Sequence, residues 1–324
     1  MQAALIANLY YLWSRAIRNE VLVSKRDCSF RIGIAGDSGS GKSVLTNIIC
    51  DLLGSENLSV LDGDNYHKWE RGDKNWKEFT HLNPSSNNLF HLSNHVKSIT
   101  LGRPISHTLY NHDLGKFSQT VEIRPSKNLV VQGLHTFYFK NTRKLFDLKI
   151  FMSPNPELRK IWKIKRDVEL RGAKSEDVLA QLERRQDDAS KYINPQIQYA
   201  DLVLEYVPIS TSGKADANEI NAFQFMGRWI VWNDLNLYPL VEELNYLGFS
   251  SDLKVRNDYN DRIELTVTGE PGHTVIQEIA MKYLDPLKHL TRGSNSPTWH
   301  SGVDGISQLV ILFLIKKNFE QEIS

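Results

Sequence analysis

The sequence predicts an α/β fold: a mostly parallel sheet with helices on both faces, followed by a C-terminal α+β extension. Three observations carry this. Short apolar runs alternate with segments of helical period between residues 30 and 208, the pattern of a parallel sheet covered on both sides. A glycine-rich turn joins the first run to the first helical segment. Beyond Pro208 the order changes to strand-like RWIVW and RIELTVT, then helical TVIQEIAMKYL and GISQLVILFLIKK.

In chain order, residues 1–29 read as an N-terminal helical extension. Its AALIANLYYLW run is too short to span a bilayer and lacks a basic n-region. An amphipathic helix on the core surface is expected there, offering an oligomer contact, so a homo-oligomer is expected. Strands are predicted at Phe30 to Ala35, 58–64, 128–133, 148–154 and 200–208, with a helix from Lys42 to a Gly54 stop and a long helical stretch from Pro156 to about Asp188. Residues 30–208 form the core, with a lid at about 163–190. The polar ISTSGKADAN marks a boundary, and residues 209–324 either extend the first sheet or pack as a separate lobe. Within them LVILFLI, 309–315, reads as a buried helix, and RWIVW as a strand packed into the core.

The chain has 324 residues, 41% of them hydrophobic, enough for a sizeable core. Thirty-nine basic against 38 acidic residues leave a net charge of +1, so no nucleic-acid or membrane partner is indicated and any polyanion must be met locally. Cys28 and Cys50 are read as reduced, buried thiols, and a cytoplasmic setting follows.

The turn Gly36-Asp37-Ser38-Gly39-Ser40-Gly41-Lys42-Ser43 satisfies G-x-x-x-x-G-K-[ST] between a strand and a helix, which makes the fold P-loop NTPase-type. Its backbone N–H groups and the helix N-terminus cradle phosphate, Lys42 reaches the β- and γ-phosphates, and Ser43 supplies a hydroxyl to Mg²⁺. ATP and Mg²⁺ are the implied cofactors. LDGDNYH delivers Asp64 and His67 beyond the second strand, where ligands gather in open α/β sheets. There Asp64 can accept a proton from an attacking hydroxyl, while His67 and Arg71 hold an anionic acceptor. KIKRDVELRG and ERRQDD read as an arginine-bearing flap, in preference to an ion-paired surface helix. His91 and His95 share a metal-ligand spacing but read as an ordinary helix surface.

IGIAGDSGSGKS, DGDNYHKWER, PISHTLYNHDLG, LVVQGLH, the KxxRDxxxRG run and PQIQYADLVLEY, in that order, resemble the phosphoribulokinase/uridine kinase family of P-loop kinases, more closely its phosphoribulokinase branch. The resemblance implies an ATP-dependent kinase acting on a small-molecule hydroxyl, with a sugar phosphate as acceptor. A nucleoside acceptor is the alternative, and a nucleotide-binding regulator or inactive scaffold the alternative of another class. It implies Asp64 as catalytic base beside Lys42, and His67 and Arg71 as contacts to the substrate phosphate. Lys163, Arg166, Asp167 and Arg171 match the lid cluster, Arg166 stabilising the transferring phosphoryl group. Tyr110 and His112 match an acceptor-side loop, although Tyr110 also reads as a core residue. Ser40 stands where thioredoxin-regulated members carry cysteine, so that redox control is not expected. Gln132 departs from the family, which has a glutamate there to support Mg²⁺. An amide oxygen at 132 can serve the metal directly or through water, without the charge. A natural branch, a deliberate exchange and a degenerate kinase all accommodate it, and the intact Lys42, Ser43, Asp64 and lid arginines put decay last. On this reading Gln132→Glu raises turnover and lowers the Mg²⁺ requirement.

Overall fold

The computed structural model describes residues 30–209, 225–256, 261–284 and 297–323. The expected N-terminal helix, Cys28 and the ISTSGKADAN boundary, apart from its first residue, lie outside them. Eight strands form one sheet in the order β2-β5-β1-β6-β7-β8-β10-β9. β1 (Phe30–Gly36), β2 (Leu58–Asp62), β5 (Asn128–Gly133), β6 (Leu148–Met152) and β7 (Leu202–Pro208) pair in parallel. β8 (Phe225–Trp232), β9 (Ser250–Arg256) and β10 (Arg262–Thr268) add antiparallel strands to the β7 side. Of the two arrangements left open by the sequence, the C-terminal segment therefore extends the first sheet.

β1 and β5 are buried at every position because both of their faces are covered. Successive side chains alternate between two cores. Ile32, Ile34 and Val130 face α1 (Lys42–Leu53) and the C-terminal helices, while Leu129 and Val131 face α2 (Leu89–Thr100). Trp229 of RWIVW is buried on β8, its indole N–H donating to Ser307 Oγ at 2.9 Å. The LVILFLI run lies within the helix Gly302–Ile323, and Leu309 to Ile315 are buried against α1 and the sheet. Among the described residues no helix is long and apolar enough to cross a membrane.

Three local expectations change. The helical stretch from Pro156 to Asp188 is broken: α3 (Pro156–Glu169) and α4 (Ser175–Arg184) are separated by a turn in which Gly172 takes φ 64°. β2 ends at Asp62, and Asp64 sits in the short 3₁₀ turn that follows. His95 is not on the helix surface: it is buried, with its Nδ1 2.9 Å from the Tyr66 hydroxyl, whereas His91 is exposed. Cys50 is free and half-buried on α1, and burial raises its thiol pKa.

A two-stranded hairpin, β3 (Ile105–Asn111) and β4 (Lys116–Ile123), stands apart from the main sheet and was not foreseen. Its turn is closed by Asn111, whose side-chain oxygen accepts from Asp113 N and Leu114 N at 2.9 Å each. This Asx turn was the available signal between the runs ISHTLY and KFSQTVEI.

Candidate active site

The carboxyl ends of β1, β2 and β5 open into a cavity of about 370 Å³, roofed by α3 and α4. The P-loop forms its floor. Gly36, Gly39 and Gly41 take φ of 152°, 78° and 94°, conformations closed to most side chains. A Cβ at Gly36 would also lie 2.7 Å from the Met152 carbonyl oxygen, and one at Gly39 3.1 Å from Lys163 Cβ. The loop is thus threaded between β6 and the lid helix, and its glycines answer to the close approach at Gly36 and to positive φ at all three positions. Lys42 Nζ donates to the carbonyls of Gly36 and Asp37 at 3.0 and 2.8 Å, and burial lowers its pKa against the opposing charges of Asp64, Asp37 and Asp62. Asp37 is turned away from the cavity, accepting from Ser38 N and pairing with Arg159 on α3. Ser40 is 1% exposed, and its hydroxyl has no hydrogen-bond partner.

Asp64 stands across from this floor, with His112 Nε2 3.5 Å from its Oδ2. Desolvation pushes its carboxyl up, but His67, His112 and Lys42 together hold it well below the usual range. His67 Nδ1 is 2.7 Å from Asn87 Oδ1. Because the Asn87 NH₂ group already donates to the carbonyls of His81 and Asn83, His67 Nδ1 carries the proton in this bond. Tyr110 packs edge-on to both His67 and His112, with centroids 5.3 and 5.2 Å away. The hairpin turn brings His112 in, and Arg71 ties that turn down by donating to the carbonyls of His112 and Asp113. Gly115 permits this contact, since a Cβ there would come 2.3 Å from Arg71 Cβ.

The lid is organised around one buried carboxylate. Asp167 accepts from Lys163 Nζ at 2.6 Å, Arg166 Nε at 3.0 Å and Arg171 at 3.0 Å. Burial alone would raise its pKa, but the hydrogen bond and charge of Lys163, with Arg166, lower it. Burial and Arg185 bring Lys163 down to about 8. Three cations around one anion leave net positive charge facing the cavity. Arg166 also reaches Ser38 Oγ at 3.4 Å, linking lid to P-loop.

Gln132, the penultimate residue of β5, stands beside Asp62, its partner in the parallel β2–β5 register. Its Nε2 donates to Asp62 Oδ2 at 3.1 Å, and its Oε1 lies 3.0 Å from the Thr46 hydroxyl on α1. The second oxygen of Asp62 accepts from Asp64 N at 2.9 Å. Burial, then the charge of Asp64, pushes the Asp62 carboxyl up to about 6, opposed by Lys42.

Of the catalytic, cofactor, substrate and metal residues named from the sequence, all line the cavity except Gly36, Asp37 and Asp167, which stand behind it and hold its walls. The sequence reading missed Asp62, His81 and Arg185, which also line it. Arg185 lay within the noted ERRQDD run but carried no separate signal; it is 6% exposed, and its Nε has no partner. Asp62 was taken as part of a strand and turn, and His81 had no local signal.

A parallel sheet with a glycine-rich phosphate turn after its central strand, an acidic side chain opposite and an arginine-bearing lid define a P-loop nucleotide-site protein. The chain belongs to the phosphoribulokinase / uridine kinase family, which it matches over residues 31–212. It is 37% identical over 177 residues to a phosphoribulokinase of Synechocystis sp., covering 55% of this chain and 53% of that protein. Against a uridine kinase of Borrelia turicatae it is 33% identical over 181 residues, covering 53% of this chain and 84% of that protein. The chain spans about half the length of the phosphoribulokinases it matches. A solved phosphoribulokinase from Rhodobacter spheroides superposes with TM-score 0.56 at 19% identity, over 83% of this chain and 99% of that one, a likeness of fold.

Proposed function

We propose that the protein is a kinase that transfers the γ-phosphoryl group of ATP to a hydroxyl of a sugar phosphate. The observation that carries this reading is the shared cavity: Lys42 of the P-loop, the Asp64 carboxylate and the cations Arg71, Arg166, Arg171 and Arg185 all line it. Those cations exceed what a triphosphate on the P-loop meets locally, and their surplus suits an acceptor that is itself an anion. The residues fit ATP and magnesium. Ser40 has a buried hydroxyl without a partner, Gly36 leaves no room for a Cβ, and Ser43 and Asp62 offer the hard oxygen donors that magnesium takes. Magnesium, when bound, supplies neutralisation of the β- and γ-phosphate charge.

In this reading Asp64 orients the acceptor hydroxyl and takes its proton as the new P–O bond forms and the bond to the β–γ bridging oxygen breaks, releasing ADP. A carboxylate of such low proton affinity is a weak base, which suits a loose transition state in which the proton leaves late. Incoming phosphate charge also raises its affinity for that proton. Lys42 and Arg166 meet the charge on the transferring group, while His67, Arg71 and Arg171 hold the acceptor's own phosphate. A cytoplasmic setting and a homo-oligomer belong to the same proposal. ADP release over a panel of pentose phosphates, free sugars and nucleosides tests it. Turnover with a sugar phosphate is expected; turnover confined to nucleosides overturns the acceptor class, and ATP binding without turnover on any acceptor overturns the enzyme reading.

A further inference from the structure

The Gln132 side chain has a hydrogen-bonding neighbour at each end. Thr46 Oγ1 lies within hydrogen-bond distance of both the Lys42 carbonyl and Gln132 Oε1 at 3.0 Å. The Gln132 NH₂ group points at a carboxylate oxygen of Asp62. Turning the amide over would set its oxygen against that carboxylate, so an ionised Asp62 fixes the amide in this orientation. The Gln132 NH₂ group then faces Asp62 and not a cation, and its oxygen is shared with the Thr46 hydroxyl. Asp62 is in the complementary situation. Each of its oxygens has one neutral donor, Asp64 N or Gln132 Nε2, and among the described residues no lysine or arginine is in direct ion-pair contact with it, Lys42 acting only through space. A carboxylate accepts at about four positions, so lone pairs remain on Asp62, whose nearby opposing charge, Lys42, makes no direct bond to it. The same cavity contains Ser43 and the unpartnered Ser40 hydroxyl.

We infer that Asp62 is the protein carboxylate on the magnesium side of this cavity, held in place by Gln132 as a positioning residue. The carboxylate that the resemblance leads one to expect at position 132 stands instead on Asp62, the facing residue of β2. The strand order β2-β5-β1 puts Asp62 one strand, about 4.8 Å, further from the P-loop strand than position 132. Magnesium keeps several of its waters, so Asp62 acts through the hydration shell of the ion, accepting hydrogen bonds from it. This inference rests on the nucleotide site proposed above. It makes Gln132 a compensated exchange, not a loss. Among the described residues no group of three or more metal-type side chains is gathered, in keeping with an ion held largely by nucleotide phosphates.

The test uses Mn²⁺ as probe, its free EPR signal reporting binding to the ADP-loaded protein, with metal-free ADP affinity measured separately in EDTA. Asp62→Asn keeps an acceptor for Asp64 N, so the turn survives and only the charge is removed. Asp62→Asn is expected to weaken Mn²⁺ binding about tenfold or more. Its metal-free ADP affinity should equal or exceed wild type, because a negative charge facing the phosphates is gone. Adding Gln132→Glu to Asp62→Asn should restore Mn²⁺ binding, which a purely structural role of Asp62 would not produce. Asp62→Ser, which also retains an acceptor, repeats the measurement should the asparagine variant unfold. Unchanged Mn²⁺ affinity in these single variants, with ADP bound normally, overturns the inference alone. A wild-type chain that binds no ADP overturns the nucleotide-site reading with it.

Discussion

Gln132 Nε2 donates to Asp62 Oδ2 at 3.1 Å across the parallel pair β2–β5, joining two residues that the sequence sets 70 positions apart. The bond reverses what is expected of Gln132→Glu. As a single change it places two carboxylates face to face, where only one can ionise cheaply. We predict a loss of about 1–3 kcal/mol of folding stability near neutral pH and no fall in the magnesium requirement. A shared proton relieves the repulsion, so the loss shrinks toward pH 5. Urea unfolding at the two pH values measures this, and equal stability at both shows that the carboxylates do not meet.

Asp64→Asn retains the size of the side chain and removes the proton acceptor. Turnover is expected to fall about 10²–10⁴-fold while ADP binding persists. Single-turnover phosphoryl transfer is the measurement, and a near-normal rate assigns the base elsewhere.

Asp167→Asn leaves Lys163, Arg166 and Arg171 without their common anion. Asp167 and Lys163 are both buried, so the loss is expected to be roughly 3 kcal/mol. The folded carboxyl titrates below the free value of 3.8, so its stabilisation is complete above that value and disappears as the pH falls through the folded one. The gap between wild type and variant should therefore be widest at neutral pH and narrow in acid. A gap that does not vary with pH contradicts the charge-based account of the lid.

Buried histidines are expected to add to the loss of stability in acid. Burial, with help from His91 and His107, lowers His95 to about 4, and burial lowers His135 to about 3. Both are depressed from 6.5, so their stabilisation is full above 6.5 and is lost as the pH falls toward these values. Each histidine is expected to remove about 1.4 kcal/mol per pH unit in that window. His95→Gln should flatten the stability–pH slope by one proton's worth in urea titrations between neutral pH and about pH 4.5. An unchanged slope means that the imidazole titrates normally.

Much of the site was legible because its parts are local. The phosphate turn needs glycines at fixed offsets, and Gly36, Gly39 and Gly41 show why, each with a backbone that other residues avoid. Asp64 and the lid cations could be named because each belongs to a short block beside a strand end or on one helix. The break at Gly172 was legible in principle from the glycine, but the charge pattern on either side reads as one helix. His95 faces inward because Tyr66 and His107 pack there, contacts from distant segments that no helical period contains.

By itself the sequence determined the parallel core, the P-loop at its centre and the chemical types gathered round it, because strand burial and glycine turns depend on residues close in the chain. Only the tertiary structure decided that the C-terminal strands continue the same sheet, that Asp167 collects the lid cations, and that Gln132 faces Asp62. Those relationships rest on register between elements and on charges brought together at partly buried positions, where the ionisation of one side chain fixes the orientation of another.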